Sequence, residues 1–419
     1  MCLWREAAEI WKGMVITVKD RKFWQGFLTG GLSVLACLLA VCIILTASGK
    51  LDLGMAIQAQ SGCIMNKELK GKMQQIQAYV DKYFLDDIDQ SKMQDAVCKG
   101  MVDGLGDTYA AYYNESEYRD MKEKTSGNYC GIGAYVSQSA TDGSISVVQP
   151  IKGSPAEKAG LKSGDIISQV DGASIEGMDL TAVVSKMKGK AGTKVELTVI
   201  RDNHPKTFHL TREEIHSQTV ASRMLDGKIG YIAVSSFEEV TKQQFREALD
   251  KLEQKGEESL IIDLRNNGGG LLSTAVDMLN RLLPEGIVVY TKDKEGKKEV
   301  YRSDGKESFD KPVVILVNEN SASASEVFSG AMQDYGKAVL VGTTTFGKGI
   351  VQTVFDLPDG TALKLTTSKY YTPKGRNIHG TGLKPDVSVE LDDQTFTEEK
   401  SGLVIDNQLE KAVDYLKSR

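Results

Sequence analysis

The chain has 419 residues, with 51 Lys and Arg against 57 Asp and Glu and a formal net charge of −6. That length suits two or three domains, and the apolar content is ample for real cores. The acidic balance, with no concentrated basic stretch after residue 50, argues against an electrostatic nucleic-acid binder, and no nucleic-acid partner is expected.

Residues 23–49 carry no charged side chain, and "FLTGGLSVLACLLAVCIILTA" is long enough to cross a bilayer as a single transmembrane helix. Arg5, Lys12, Lys19, Arg21 and Lys22 precede it and outnumber Glu6, Glu9 and Asp20. By the positive-inside rule residues 1–22 form a cytoplasmic tail and everything after the anchor lies outside the cell membrane. A cleaved signal peptide is the alternative, but its apolar region would be shorter, and "LTASGK" is a weak cleavage site. Cys63, Cys98 and Cys130 follow the anchor, an odd number that requires no disulfide framework.

Residues 50–118 read as a helical arm, with apolar positions at helical spacing in "MQQIQAYVDKYF" and "MQDAVCKGMVDGLG". "GLGDTYAAYYNESEYRDMKEK" follows, and nothing in it carries obvious chemistry; packing or oligomerisation is the expected role. Residues 119–215 change period: "GIGAYVSQ", "SISVVQP", "GDIISQVDG" and "KVELTVIRD" are short strands, with helical pieces "SPAEKAG" and "DLTAVVSKMKG" between them.

From residue 216 strands and helices alternate to residue 392, and the unbroken runs "LIIDL" and "VVILV" predict strands buried on both faces of an α/β core. "VQTVFDL", "TALKLTTSKYYT" and "DVSVEL" read as antiparallel or peripheral strands. Residues 393–419 close the chain with the helix "NQLEKAVDYLKS".

"NENSASASEVF" sets Ser321, Ser323 and Ser325 at alternate positions between a buried strand and a helix. Ser323 and Glu326 fit a capping box, which alone would explain the pattern. A serine at a helix N-terminus also suits nucleophilic attack, since the Ala324 N–H would face a developing oxyanion. A second donor would come from the glycine turn "NNGGGLL".

The four histidines decide the base. His204, His209 and His216 fall in or just after the 119–215 block, leaving His379 in a Gly-rich loop as the one candidate for a Ser-His-Asp triad. The other route is a lysine made neutral by burial, and Lys348, between two glycines among Phe346, Ile350 and Val351, offers one. Gln352 would orient its amine.

Two resemblances follow from these residues. The 119–215 block resembles a PDZ domain, a small partly open mixed α/β barrel, through "GIGA" and "GSPAEKAGLKSGDIISQVDG". The resemblance implies a peptide groove formed by Gly131, Ile132, Gly133, Ala134, Val136, Leu180, Val183, Val184 and Met187. Residues 217–392 resemble the C-terminal processing peptidases, the tail-specific proteases of serine peptidase family S41, through "SASASE", "AMQDYGKAVLVG", "TTFGKGIVQ", "DLRNNGGG" and "SKYYTPKGRNIHGTGLKPD". That resemblance implies a multidomain protein with a ClpP/crotonase-like α/β protease core.

In the family the lysine follows the middle serine at the spacing Lys348 has from Ser323, 25 positions. The resemblance therefore selects Ser323, Lys348 and Gln352 as catalytic, with oxyanion donors at Ala324 and at Gly269, Gly268 being the near alternative. It further implies protein or peptide substrates with apolar C-termini and a homodimer, and since no HExxH, Cys/His ligand spacing or EF-hand-like acidic loop appears, neither cofactor nor metal is expected. A catalytically silent, membrane-tethered PDZ scaffold is the reading from another class.

Overall fold

The computed structural model describes residues 64–392, 397–398 and 404–418. The expected anchor at 23–49 lies outside them, and no described helix is long and apolar enough to cross a membrane. The chain divides into two compact units, Met1–Asp89 and Gln90–Arg419. In the first, α1 (Lys67–Tyr83) is capped by Asn66, whose side chain accepts from the Leu69 N–H; none of its residues is buried, and Ile76, Tyr79 and Tyr83 are exposed.

In the second unit the stretch after α2 (Gln90–Asp103) departs from the all-helical reading of residues 50–118. Ala111–Tyr113 forms β1, paired antiparallel with Ala362–Lys364, and Asn114 and Glu117 then close a capping box that starts α3 (Glu115–Ser126). The β-favouring "AYY" is held extended by that neighbouring strand, and the helical period resumes only after the cap.

α3 leads through β2 (Asn128–Gly131) into an antiparallel sheet of β3 (Ala134–Gln138), β4 (Ile145–Pro150), β5 (Ile166–Val170), β7 (Lys194–Arg201) and β8 (His204–Thr211), with β6 (Ala173–Ser174) beside β5. α4 (Pro155–Ala159) and α5 (Leu180–Met187) cover a core that includes Ile145, Val147, Ile167, Val183, Leu197 and Val199. β3 is an edge of this sheet, so its outer side can accept another strand. β9 (Glu213–His216) returns to pair with β2.

The next layer is a sheet in the order β10 (Val220–Leu225), β11 (Ile229–Val234), β12 (Ser259–Asp263), β15 (Val313–Val317), β16 (Ala338–Gly342), β19 (Val387–Ser388). All its pairs after β10–β11 are parallel, including β19, which had read as antiparallel or peripheral and is a short edge strand. Every residue of β12 and β15 is buried, because α6 (Thr241–Gln254), α7 (Leu272–Asn280) and α8 (Ala324–Asp334) cover one face and α9 (Asn407–Lys417) the other. Arg265 ties α9 to the sheet by pairing with Asp263 at the end of β12 and with Asp406, the α9 N-cap.

A second, antiparallel sheet contains β1, β13 (Gly286–Asp293), β14 (Lys298–Ser303), β17 (Ile350–Asp356) and β18 (Ala362–Tyr371). The hairpin β13–β14 was not anticipated from the sequence. β17 and β18 carry the expected antiparallel pairing and bring Gln352 opposite Thr366.

Candidate active site

The serine loop ends β15 and turns into α8. Ser323 holds φ 56° and ψ −114°, a left-handed-side conformation that costs energy for a residue with a Cβ and that concentrates at functional turns. The two flanking serines are structural. Ser321 Oγ donates to the Leu264 carbonyl and Ser325 Oγ to the Asn267 carbonyl, each at 2.8 Å and fully buried, so both bind the serine loop to the glycine turn.

That turn is fixed by Asn267, also fully buried, whose Nδ2 donates to the Val234 carbonyl. Gly269 approaches the serine so closely that a Cβ there would lie 2.6 Å from the Ala322 oxygen and 2.9 Å from the Ser323 Cβ. The Gly269 N–H donates to Asn267 Oδ1 at 2.9 Å. Among the described residues, the N–H groups of Ala324 and Gly268 have no such partner. Ala324 and Gly268 thus present unengaged amides at the cavity, as Gly270 does, whereas the Gly269 N–H is taken up by Asn267.

Glu326 joins this loop to the lysine loop. Its carboxylate is fully buried and accepts four hydrogen bonds: from the Ser323 and Lys348 N–H groups at 2.9 and 2.8 Å, from the Gly347 N–H at 2.8 Å, and from Thr345 Oγ1 at 2.6 Å. Tyr370, buried beneath, donates its hydroxyl to the Ser323 carbonyl. The glutamate that the sequence marked as a helix cap thus also holds the backbone at Lys348 and just before it.

A cavity of ≈ 680 Å³ opens beside Ser323. Ser323, Ala324, Gly268, Gly269 and Gln352 line it, together with Lys364 and apolar side chains of Phe237, Val327 and Ile350. Gln352 donates to Thr366 Oγ1 at 3.4 Å. Lys348 is half-buried outside the lining, with its Nζ 4.3 Å from the centroid of the Tyr109 ring, and no hydrogen bond among the described residues joins it to Ser323. Burial first, then the nearby Lys364, pushes the Lys348 ammonium below the ordinary lysine value, while Asp107 and Glu326 pull it back up. His379 is exposed and outside the cavity lining.

In the small domain, Ile132, Val183 and Met187 lie in the core, and Gly131 and Gly133 are buried with them. Ala134 and Val136 on β3 and Leu180 and Val184 on α5 are half-buried, leaving these four as the groove's accessible apolar positions. Tyr109, Asp107 and Glu326 were missed as site residues. Only Glu326 had a signal in the sequence, its place in the capping box. No group of His, Cys, Asp and Glu suited to a metal occurs among the described residues.

A serine at a helix start beside a glycine turn, and a half-buried lysine with a lowered pKa, are the arrangement that the class of serine-type peptidases calls for. Residues 228–389 match the model of peptidase family S41 and residues 146–201 that of a PDZ domain, and the chain belongs to family S41. It is 41% identical over 307 residues to the carboxy-terminal processing protease CtpA of Bacillus subtilis (strain 168), covering 73% of this chain and 66% of that one. With the "Probable CtpA-like serine protease" of Staphylococcus aureus (strain COL) it shares 42% over 305 residues, 72% of this chain and 61% of the other. These matches thus span less than two thirds of either relative's length. The solved photosystem II D1 C-terminal processing protease aligns at 30% identity over 78% of this chain and 88% of its own, with a TM-score of 0.46.

Proposed function

We propose that the protein is a membrane-anchored serine endopeptidase of the C-terminal processing type, acting outside the cytoplasmic membrane through Ser323 and Lys348. The observation that carries this reading is the Glu326 carboxylate, which binds the N–H groups of both residues and so couples the nucleophile's turn to the base's loop. Neutral Lys348 takes the Ser323 Oγ proton as Oγ attacks the peptide carbonyl carbon, and the N–H groups of Ala324 and Gly268 receive the oxyanion. The C–N bond then breaks, Lys348 returns the proton to the leaving amine, and an acyl ester remains on Ser323. Water, deprotonated by Lys348, cleaves that ester and restores the serine. Gln352 orients the lysine amine once it reaches the cavity.

The apolar cavity lining and the open edge of β3 support protein substrates whose tails are bound before cleavage. An apolar C-terminus fits the half-buried Ala134, Val136, Leu180 and Val184. The charge-free residues 23–49 and the basic flank before them support the anchor and its orientation. Exposed Ile76, Tyr79 and Tyr83 on α1 support self-association of the arm into a homodimer.

The test compares the native chain with Ser323→Ala and Lys348→Ala on an unstructured substrate with an apolar C-terminus. Cleavage by the native chain alone is the expected result. Cleavage by Ser323→Ala at the native rate would remove Ser323 as nucleophile. Tail binding without cleavage by any of the three would point to a silent scaffold.

A further inference from the structure

The stretch "GDTYAAYY" had no function in the sequence reading, yet it meets the base. Lys348 Nζ lies 4.3 Å from the Tyr109 ring centroid, within the range in which an aromatic face attracts a cation. The backbone that carries the ring is fixed by Asp107. The Tyr109 N–H donates to Asp107 Oδ1 at 2.9 Å, and the Ala110 N–H to the Asp107 carbonyl at 3.2 Å. The Asp107 carboxyl is held below its ordinary value by the Tyr109 N–H and then by Thr366, the residue that Gln352 contacts. β1 then starts at Ala111 and pairs with Lys364 of β18, so the turn is fastened to the sheet that carries Gln352.

We infer that Tyr109 is a positioning residue for Lys348, its ring face holding the ammonium form of the base beside the cavity and so setting the pH at which the neutral amine becomes available. The inference rests on the Ser323–Lys348 reading above. Four groups act on that amine: Asp107 and Glu326 favour its charged form, Lys364 opposes it, and the Tyr109 face adds an attraction that only the charged form feels. Because the serine proton passes to neutral lysine, withdrawing the ring makes the base available at lower pH.

The experiment measures kcat/KM against pH for the full chain, Tyr109→Phe and Tyr109→Leu, with Ser323→Ala and Lys348→Ala as controls. Tyr109→Phe keeps the ring and is expected to superimpose on the native profile. Tyr109→Leu keeps apolar bulk without the face, and its acid limb is expected to move down by roughly 0.5–1 pH unit, the alkaline plateau being retained. A packing role alone would lower the plateau and leave the limb in place. Stepwise fluorination of a phenylalanine placed at 109 keeps the shape while weakening the face, and should move the limb downward in steps even where Tyr109→Leu does not fold.

A limb that stays in place or moves up in the leucine and fluorinated variants, with both controls inactive, would overturn the role of Tyr109 and leave the serine–lysine reading standing. Native-rate cleavage by Lys348→Ala would overturn that reading first, and the Tyr109 inference with it.

Discussion

One oxygen of the buried Glu326 carboxylate, Oε2, accepts both the Ser323 N–H at 2.9 Å and the Lys348 N–H at 2.8 Å. Oε1 takes Gly347 and Thr345, so four donors converge on one side chain. Glu326→Gln keeps the volume but turns an NH2 toward donors that need an acceptor. It is expected to cost about 2–4 kcal/mol of stability and to lower kcat more than KM suffers, by at least roughly tenfold. Denaturant melts and steady-state kinetics on the same preparation check both; native values in each would show that the coupling does not matter.

The two glycines of the turn should behave differently. Gly269 has φ 98°, and a side chain there would press on the Ala322 oxygen, the Ala324 nitrogen and Ser323 Cβ, so Gly269→Ala is expected to abolish cleavage by displacing the nucleophile. Gly268 has open space around it, so Gly268→Ala retains the amide and should stay active. Gly268→Pro removes that N–H, and the loss of one oxyanion donor is expected to reduce kcat by about 10²–10³-fold. An active Gly268→Pro would move the second donor elsewhere.

The charge on Lys364 enters through Lys348. Their repulsion lowers the Lys348 pKa, and on the proposed mechanism, with the neutral amine as base, the rate rises as pH passes through that pKa. Lys364→Met removes the repulsion, so the Lys348 pKa rises and the acid limb of kcat/KM moves to higher pH, by roughly half a unit. An unshifted limb would mean that Lys364 is screened by water in the working enzyme. The direction is opposite to that expected for Tyr109→Leu, which makes the pair a check on each other.

What could be read in advance depended on how local the signal was. β12 and β15 were legible because five consecutive buried residues leave an apolar run that few other structures explain, whereas Ser323, Lys348 and Gln352 were proposed from the spacing of a family motif. β1 was misread because three residues paired to a strand some 250 positions away carry no period of their own. Asp107 and Tyr109 were missed for the same reason: their chemistry exists only because that pairing carries them to Lys348. That the Gly269 N–H is engaged was not legible from sequence, since it depends on where the Asn267 side chain points. Val183 and Met187 have the right helical spacing for a groove, but spacing does not distinguish a residue on the rim from one behind it, and both are buried.

The groove itself can be separated from the chemistry. Val184 is half-buried on α5, and Gln138, at the end of edge strand β3, accepts the Leu180 N–H and donates to the Met178 carbonyl, closing one end of the space between strand and helix. A peptide added along β3 would therefore pack its apolar side chains against Leu180 and Val184 without disturbing Val183 behind them. Val184→Asp places a charge on that wall, and it should weaken binding of an apolar tail by about 1–3 kcal/mol, or roughly 5- to 150-fold in Kd. Cleavage of a substrate with that tail should fall accordingly. Reaction of Ser323 with a small serine-directed reagent needs no groove and should keep its native rate. If both fall together, the domain acts by shaping the active site; if neither falls, the tail is bound elsewhere.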